Sequence, residues 1–201
     1  MATAAENKLL KRRSILEAAT RLFTDKSVAE TAIDEVVQLA GVAKGTFYLY
    51  FRDKYDLLDE IVMHRTADIV ADGCRTLRKA LLQKSMTAAQ QFIFLTDYIV
   101  AYLQRNKKVT ALIDKRFSAC FTEKMLNENE SFREAVEYLT GLLISESCPA
   151  QQARKKLYIL TDMIGSVCCD AVLGEKPYGI RDILPTLYGV LHGILDGGEP
   201  A

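Results

Sequence analysis

Lys44, Thr46, Tyr48, Tyr50 and Lys54 bring two ammonium groups and three hydroxyls into one short stretch of the chain. These are donors suited to the phosphate oxygens and base edges of a nucleic acid. Gly45 lies among them and is small enough to let a backbone approach a duplex closely. Phe47 and Phe51 anchor the same stretch from behind, which leaves Lys44, Thr46 and Tyr48 facing outward. Packing alone accounts for the phenylalanines; for Tyr48 and Tyr50, hydroxyls beside Lys44 and Lys54, contact with a DNA backbone fits better.

Other chemistries lack their parts. His64 and His192 stand far apart, and the sequence has no HExxH run, no nucleophile elbow and no glycine-rich phosphate loop. The five cysteines, Cys74, Cys120, Cys148, Cys168 and Cys169, have no CxxC spacing and no neighbouring histidine, so they read as reduced thiols rather than as a zinc site. No catalytic residue, metal or cofactor is therefore expected.

The outward donors need elements to carry them. Thr31 to Tyr50 has the layout of a helix-turn-helix. Thr31-x-x-Asp34 reads as a capping box opening a helix whose inner face is Ile33, Val36 and Val37. Gly41 permits a positive φ in the turn, and Val42 plugs the angle before a third helix from Ala43 to Leu49. Asp53 caps a fourth helix. The amide-rich starts at Thr31 and Lys54 would then bracket the groove by holding phosphates. In front of the motif, Ile15, Ala18, Ala19, Leu22 and Phe23 line one face of a first helix, with Lys8, Lys11, Arg12 and Arg13 at its entrance.

The run Ala40 to Leu58, together with Ala18-Ala19-x-x-Leu22-Phe23 and Thr31-x-x-x-Glu35-Val36, resembles the TetR family of bacterial transcriptional regulators. The resemblance implies a homodimer with each third helix in a major groove, contacting DNA through Thr31, Lys44, Thr46, Tyr48, Tyr50 and Lys54, with Gly45 as the close-approach position. It also implies a small-molecule pocket in the body whose occupation moves the fourth helix. Ser27, Val37 and Ala43 depart from the family's usual Gly, Ala and Ser. The loss of a serine cap at position 43 should cost about 1 kcal/mol.

The bulk numbers agree with a soluble, two-part protein. With 201 residues and 49% hydrophobic content the chain can bury a sizeable core. Its net charge is zero, so DNA binding must come from a local patch: up to Lys54 nine Lys and Arg face seven Asp and Glu, and beyond it seventeen face nineteen. No secretory signal or membrane-length apolar stretch is seen, which points to the cytoplasm.

Beyond Lys54 the spacing is helical throughout. Thr87-x-x-Gln90 opens a helix bearing Phe92, Leu95, Ile99 and Leu103; another helix is expected from Thr110 to Thr122; Asn127 to Ser131 breaks the pattern. Pro149 suits the first turn of a helix from Ala150 to Leu173, and Asp182 the cap of the last helix, with Pro185 in its first turn. These last two helices are the most apolar. Their stripes, including Ile164, Leu184, Leu187, Leu191 and Leu195, suit a four-helix dimer bundle. Phe92, Tyr98, Tyr102, Phe117, Phe121 and Tyr138 are candidates to line an effector pocket, for an apolar or aromatic ligand.

The sequence thus predicts an all-α protein of about nine helices. Residues 1–54 form a DNA-binding domain (motif 31–50) and residues 55–201 an effector-binding and dimerisation domain. The expected function is ligand-responsive repression by a homodimer on a near-palindromic operator. An activator or architectural binder without a ligand, and a helical small-molecule binder with a vestigial DNA unit, are the alternatives.

Overall fold

The computed structural model describes residues 4–114, 116–145, 148–174 and 177–195. Apart from an isolated bridge between Ser145 and Cys148, every regular element among them is helical: ten α-helices and one 3-10 turn. The chain divides into two compact units, Met1–Val62 and Met63–Ala201. The opening turns of the fourth helix therefore fold with the first unit.

In the first unit, α1 (Ala4–Asp25) lays Ile15, Ala18, Ala19 and Phe23 into the core, as their spacing predicts. It starts earlier than expected, so Lys8, Lys11, Arg12 and Arg13 lie within the helix rather than at its entrance. α2 (Ile33–Ala40) contributes buried Val36 and Val37 and ends at Gly41, whose φ of 67° only glycine adopts without strain. α3 (Lys44–Tyr48) buries Phe47. α4 (Lys54–Leu81) opens where Asp53 Oδ1 accepts from the backbone N–H groups of Tyr55 (2.8 Å) and Asp56 (2.9 Å), the expected cap.

The second unit is built around α9 (Ala150–Leu173), which packs against α5 (Ala88–Arg105), α6 (Lys107–Ile113), the 3-10 turn (Phe117–Cys120), α8 (Glu130–Leu143) and α10 (Ile180–Leu195). The short α7 (Glu123–Glu128) leads into α8. α5 carries the capping box in full: the Gln90 N–H donates to Thr87 Oγ1 (3.2 Å) and the Thr87 N–H to Gln90 Oε1 (3.0 Å). Leu157, Leu160, Phe117, Phe132, Met125 and Leu103 are fully buried, each such side chain contributing about 1.5–3 kcal/mol. Gly165 lets α9 lie directly on Phe117, for a Cβ there would stand 2.1 Å from the Phe117 Cβ.

Several boundaries in the second unit differ from the sequence reading. The single helix expected from Thr110 to Thr122 is broken: α6 stops at Asp114, a non-glycine residue at φ 50°, and the chain resumes as the 3-10 turn. Thr122 then caps α7 and Asn129 caps α8, through bonds from Met125 N–H (3.2 Å) and Phe132 N–H (3.0 Å), so polar side chains that look like loop are helix starts. Pro149 is the N-cap of α9 rather than a first-turn residue. α10 begins at Ile180, which puts Asp182 inside the first turn and Pro185 in the second, where no N–H reaches the Arg181 carbonyl.

Candidate nucleic-acid interface and body cavities

The recognition surface rests on one alternation within α3. Phe47 is fully buried, its ring edge-on to Tyr48 and tilted against Phe51, while Lys44, Gly45 and Tyr48 are exposed and Thr46 half-exposed. The anchor fixes the short helix, and the outward side chains form a small surface of an ammonium, two hydroxyls and bare backbone. A Cβ added at Gly45 would meet nothing within 4 Å, so the protein's own packing does not require glycine there. Ala43 occupies the N-cap of α3 and offers no side-chain bond, as its type dictates.

The charged groups around this surface hold one another. Lys44 pairs with Asp34 at 2.7 Å, which joins the starts of α3 and α2 and raises the ammonium pKa; both groups are largely exposed. Lys26 pairs with Glu35 at 2.5 Å. The Glu35 carboxylate also accepts from the Ala32 N–H (2.9 Å), and the two contacts lower its pKa, Lys26 contributing more. Sequence periodicity does not reveal Asp34 as the partner of Lys44, because the pairing depends on the angle between two helices rather than on spacing along either.

Thr31 differs from its expected role. Ala32 is the N-cap of α2, and Thr31, only 1% exposed, donates its hydroxyl to the Ser27 carbonyl (2.9 Å). That hydroxyl is therefore committed inside the unit. Lys54 Nζ donates to the carbonyls of Ala29 (2.7 Å) and Thr31 (3.2 Å), so it clasps the segment entering α2 and has one N–H left for another acceptor. Tyr50, half-exposed, donates its hydroxyl to the Lys8 carbonyl (3.1 Å) and ties α1 to the residues after α3. Of the seven residues expected at the DNA surface, four present themselves outward on α3; Thr31 and Lys54 brace the segment entering α2, and Tyr50 ties down α1.

In the second unit the six aromatic candidates do not share one cavity. Phe92 lines an apolar cavity of about 30 Å³ with Ile69, Val70, Gly73, Leu95 and Ile164. Tyr102 lines a cleft of about 240 Å³ whose other walls are mostly polar: Arg65, Asp68, Asp72, Arg75, Asn129 and Ser131. Burial raises the Asp68 carboxyl pKa there, against the opposing pull of Arg65. Phe117 lies under Gly165, Phe121 stacks edge-on against Phe132 and Tyr158, and Tyr138 bonds to Gln91 beneath the Arg78 guanidinium, while Tyr98 lies beside Gly73. These four line neither of the two spaces.

The expected dimer stripe is likewise divided. Ile164, Leu187 and Leu191 are buried within the protomer, and Leu184 and Leu195 are half-buried against its core. The large apolar groups left outward on α9 and α10 are Tyr158, Ile159, Leu173 and Val190, with Gly189 and Gly193 beside open space. Among the described residues no helix is long and apolar enough to cross a membrane.

Residues 15–61 match the family model of bacterial regulatory proteins of the tetR family. The chain is 30% identical over 119 residues to the HTH-type transcriptional regulator YhgD of Bacillus subtilis, covering 59% of this chain and 53% of that protein. It is 44% identical over 50 residues to the regulator AcrR of Shigella flexneri, a quarter of this chain and 23% of AcrR. The chain thus spans about half or less of the length of these relatives. To the HTH-type transcriptional repressor BepR of Brucella suis it is 25% identical over 184 residues, 84% of each. Its fold is shared by a TetR transcriptional regulator from Rhodococcus (TM-score 0.58, 15% identity, 94% and 98% covered). It is also shared by the regulator FadR of Bacillus subtilis, solved in complex with stearoyl-CoA (TM-score 0.54, 16% identity, 90% and 98% covered).

Proposed function

We propose that the chain, whose residues 15–61 match the model of the tetR family of bacterial regulatory proteins, is a sequence-specific transcriptional regulator of that family, a homodimeric repressor released from a near-palindromic operator by a small effector. One observation carries the reading: α3 turns Lys44, Gly45, Thr46 and Tyr48 outward over a buried Phe47. Lys44, Thr46 and Tyr48 contact phosphates and base edges at the groove, and Gly45 admits the backbone. Thr31 and Lys54 brace the segment entering α2 beside that surface, Lys54 with one donor to spare for a phosphate.

A single short helix reads few base pairs. Two copies about 34 Å apart read a palindrome, which favours a dimer. Outward apolar groups of α9 and α10, among them Ile159 and Val190 with the open side of Gly189 and Gly193, support a mating face for a second copy. For the effector, the apolar cavity holds about one water and must widen to admit a ligand, while the larger cleft is polar; both share the Ile69 wall. This supports a ligand with a polar part in the cleft and an apolar part directed toward Phe92, in place of a wholly apolar one.

Fluorescence anisotropy with a duplex selected by the protein from a random pool tests the DNA reading. Binding should weaken with salt along a log–log line, and Lys44→Ala should make the slope shallower by about 0.9. A purified protein that binds no duplex at low salt would remove the function. Coupling to an effector is reciprocal, so an effector bound equally well with and without operator would remove the repressor mechanism alone.

A further inference from the structure

Four basic residues near the start of α1 take no part in the helix-turn-helix. Two of them are engaged within the unit: Arg12 pairs with Glu60 and lies 5.9 Å over the Phe51 ring, and Arg13 pairs with Glu17 at 2.7 Å. The other two, Lys8 and Lys11, are exposed and have no ion-pair partner among the described residues. Three positions apart on a helix, they share a side. Their place is fixed from two directions. The Tyr50 hydroxyl bonds to the Lys8 carbonyl, so the backbone of α1 at Lys8 lies one tyrosine side chain from the residues that follow α3. Arg12, one turn further along, locks the same helix to Phe51 and Glu60.

We propose that Lys8 and Lys11 form a second DNA contact, a basic flank that binds phosphates next to the groove read by α3, with Tyr50 as the positioning residue that holds it there. The inference rests on the DNA-binding reading above. Duplex DNA is the partner whose chemistry fits, because the lysines are uncompensated in a protein of zero net charge and are tethered to the recognition segment. Phosphate contacts carry no base information, so the flank adds affinity without sequence preference. It also gives a role to the Tyr50 hydroxyl, which bonds to the backbone of α1.

The test is a salt titration of duplex binding by the full chain and three variants: Lys8→Ala/Lys11→Ala, Tyr50→Phe, and the triple combination. Two lost phosphate contacts should make the log–log slope shallower by about 1.8, so that raising salt from 50 to 200 mM weakens the double variant about twelvefold less than the parent. The loss should be the same on selected and on random duplex. Tyr50→Phe should weaken binding in the parent but add nothing in the lysine-free background, because it acts through the flank. A parent-like slope in a folded double variant would overturn the flank, and an additive Tyr50→Phe effect would overturn the tether. A parent that binds no duplex would instead dismiss the underlying DNA reading.

Discussion

Replacing Gly165 by alanine should unsettle the second unit more than any other single-methyl change. The new Cβ would stand 2.1 Å from Phe117 Cβ and 2.4 Å from its Cγ, whereas carbon atoms pack at about 3.5–4.0 Å. Relief needs a movement of more than an ångström. Phe117 has little room for it, being fully buried in a 3-10 turn beside the equally buried Cys120. Overpacking of well-filled cores costs about 1–3 kcal/mol and occasionally more, and the severity of this clash argues for about 3 kcal/mol. At about 2–4 °C per kcal/mol for a chain of this size, Tm should fall by roughly 6–12 °C. Thermal unfolding followed by helical circular dichroism reads the shift. Removing the obstacle should remove the effect: the nearest atom is the Phe117 Cβ, so it takes a Phe117→Gly background, itself destabilised by at least about 3–5 kcal/mol, for Gly165→Ala to cost nothing further. A Gly165→Ala protein melting with the parent would refute the α9–Phe117 packing on which the second unit is built.

Asp34→Asn should strengthen duplex binding by roughly two- to fivefold at low salt, the worth of an exposed ion pair, because it releases Lys44; weaker binding in anisotropy would mean that Asp34 orients Lys44 for DNA. Burial pushes the thiols of Cys74, Cys120, Cys168 and Cys169 up to about 12, so at pH 8 they are protonated and hidden. A thiol reagent should therefore titrate one fast group in the native protein, lost in Cys148→Ser, and all five after denaturation; several fast groups would contradict the burial. Thr87→Ala should lower stability by about 1 kcal/mol in urea unfolding through loss of the α5 cap, and an unchanged midpoint would show that the box carries no weight.

Local signals in the sequence announce most of the first unit. Gly41, Asp53 and the Phe47/Phe51 anchors act within a turn or two of themselves, and they stand where their chemistry predicts. Thr31 misleads because a hydroxyl that bonds backward to Ser27 looks the same in sequence as one that caps forward. The Lys44–Asp34 and Tyr50–Lys8 contacts depend on interhelical angles, which spacing does not encode. In the second unit α10 carries two neighbouring apolar stripes, Ile183, Leu187, Val190 and Ile194 beside Leu184, Leu191 and Leu195. Periodicity then identifies helices without saying which stripe faces inward, so Leu187 and Leu191 read as a mating surface and prove to be core. The aromatic candidates divide for the same reason: Phe92 and Tyr102 line cavities while Phe117 and Phe121 pack against other elements, and the roomier cleft is walled by charged residues that a search for apolar pockets passes over.

The account turns on α3 being a surface shaped for DNA, and Gly45→Ala separates that role from folding. The added methyl meets nothing in the protein itself, so thermal stability and helical content should match the parent, while duplex affinity measured by anisotropy should fall at least tenfold as the methyl holds the backbone off the groove. A folded Gly45→Ala protein that binds its duplex as tightly as the parent would contradict the central claim.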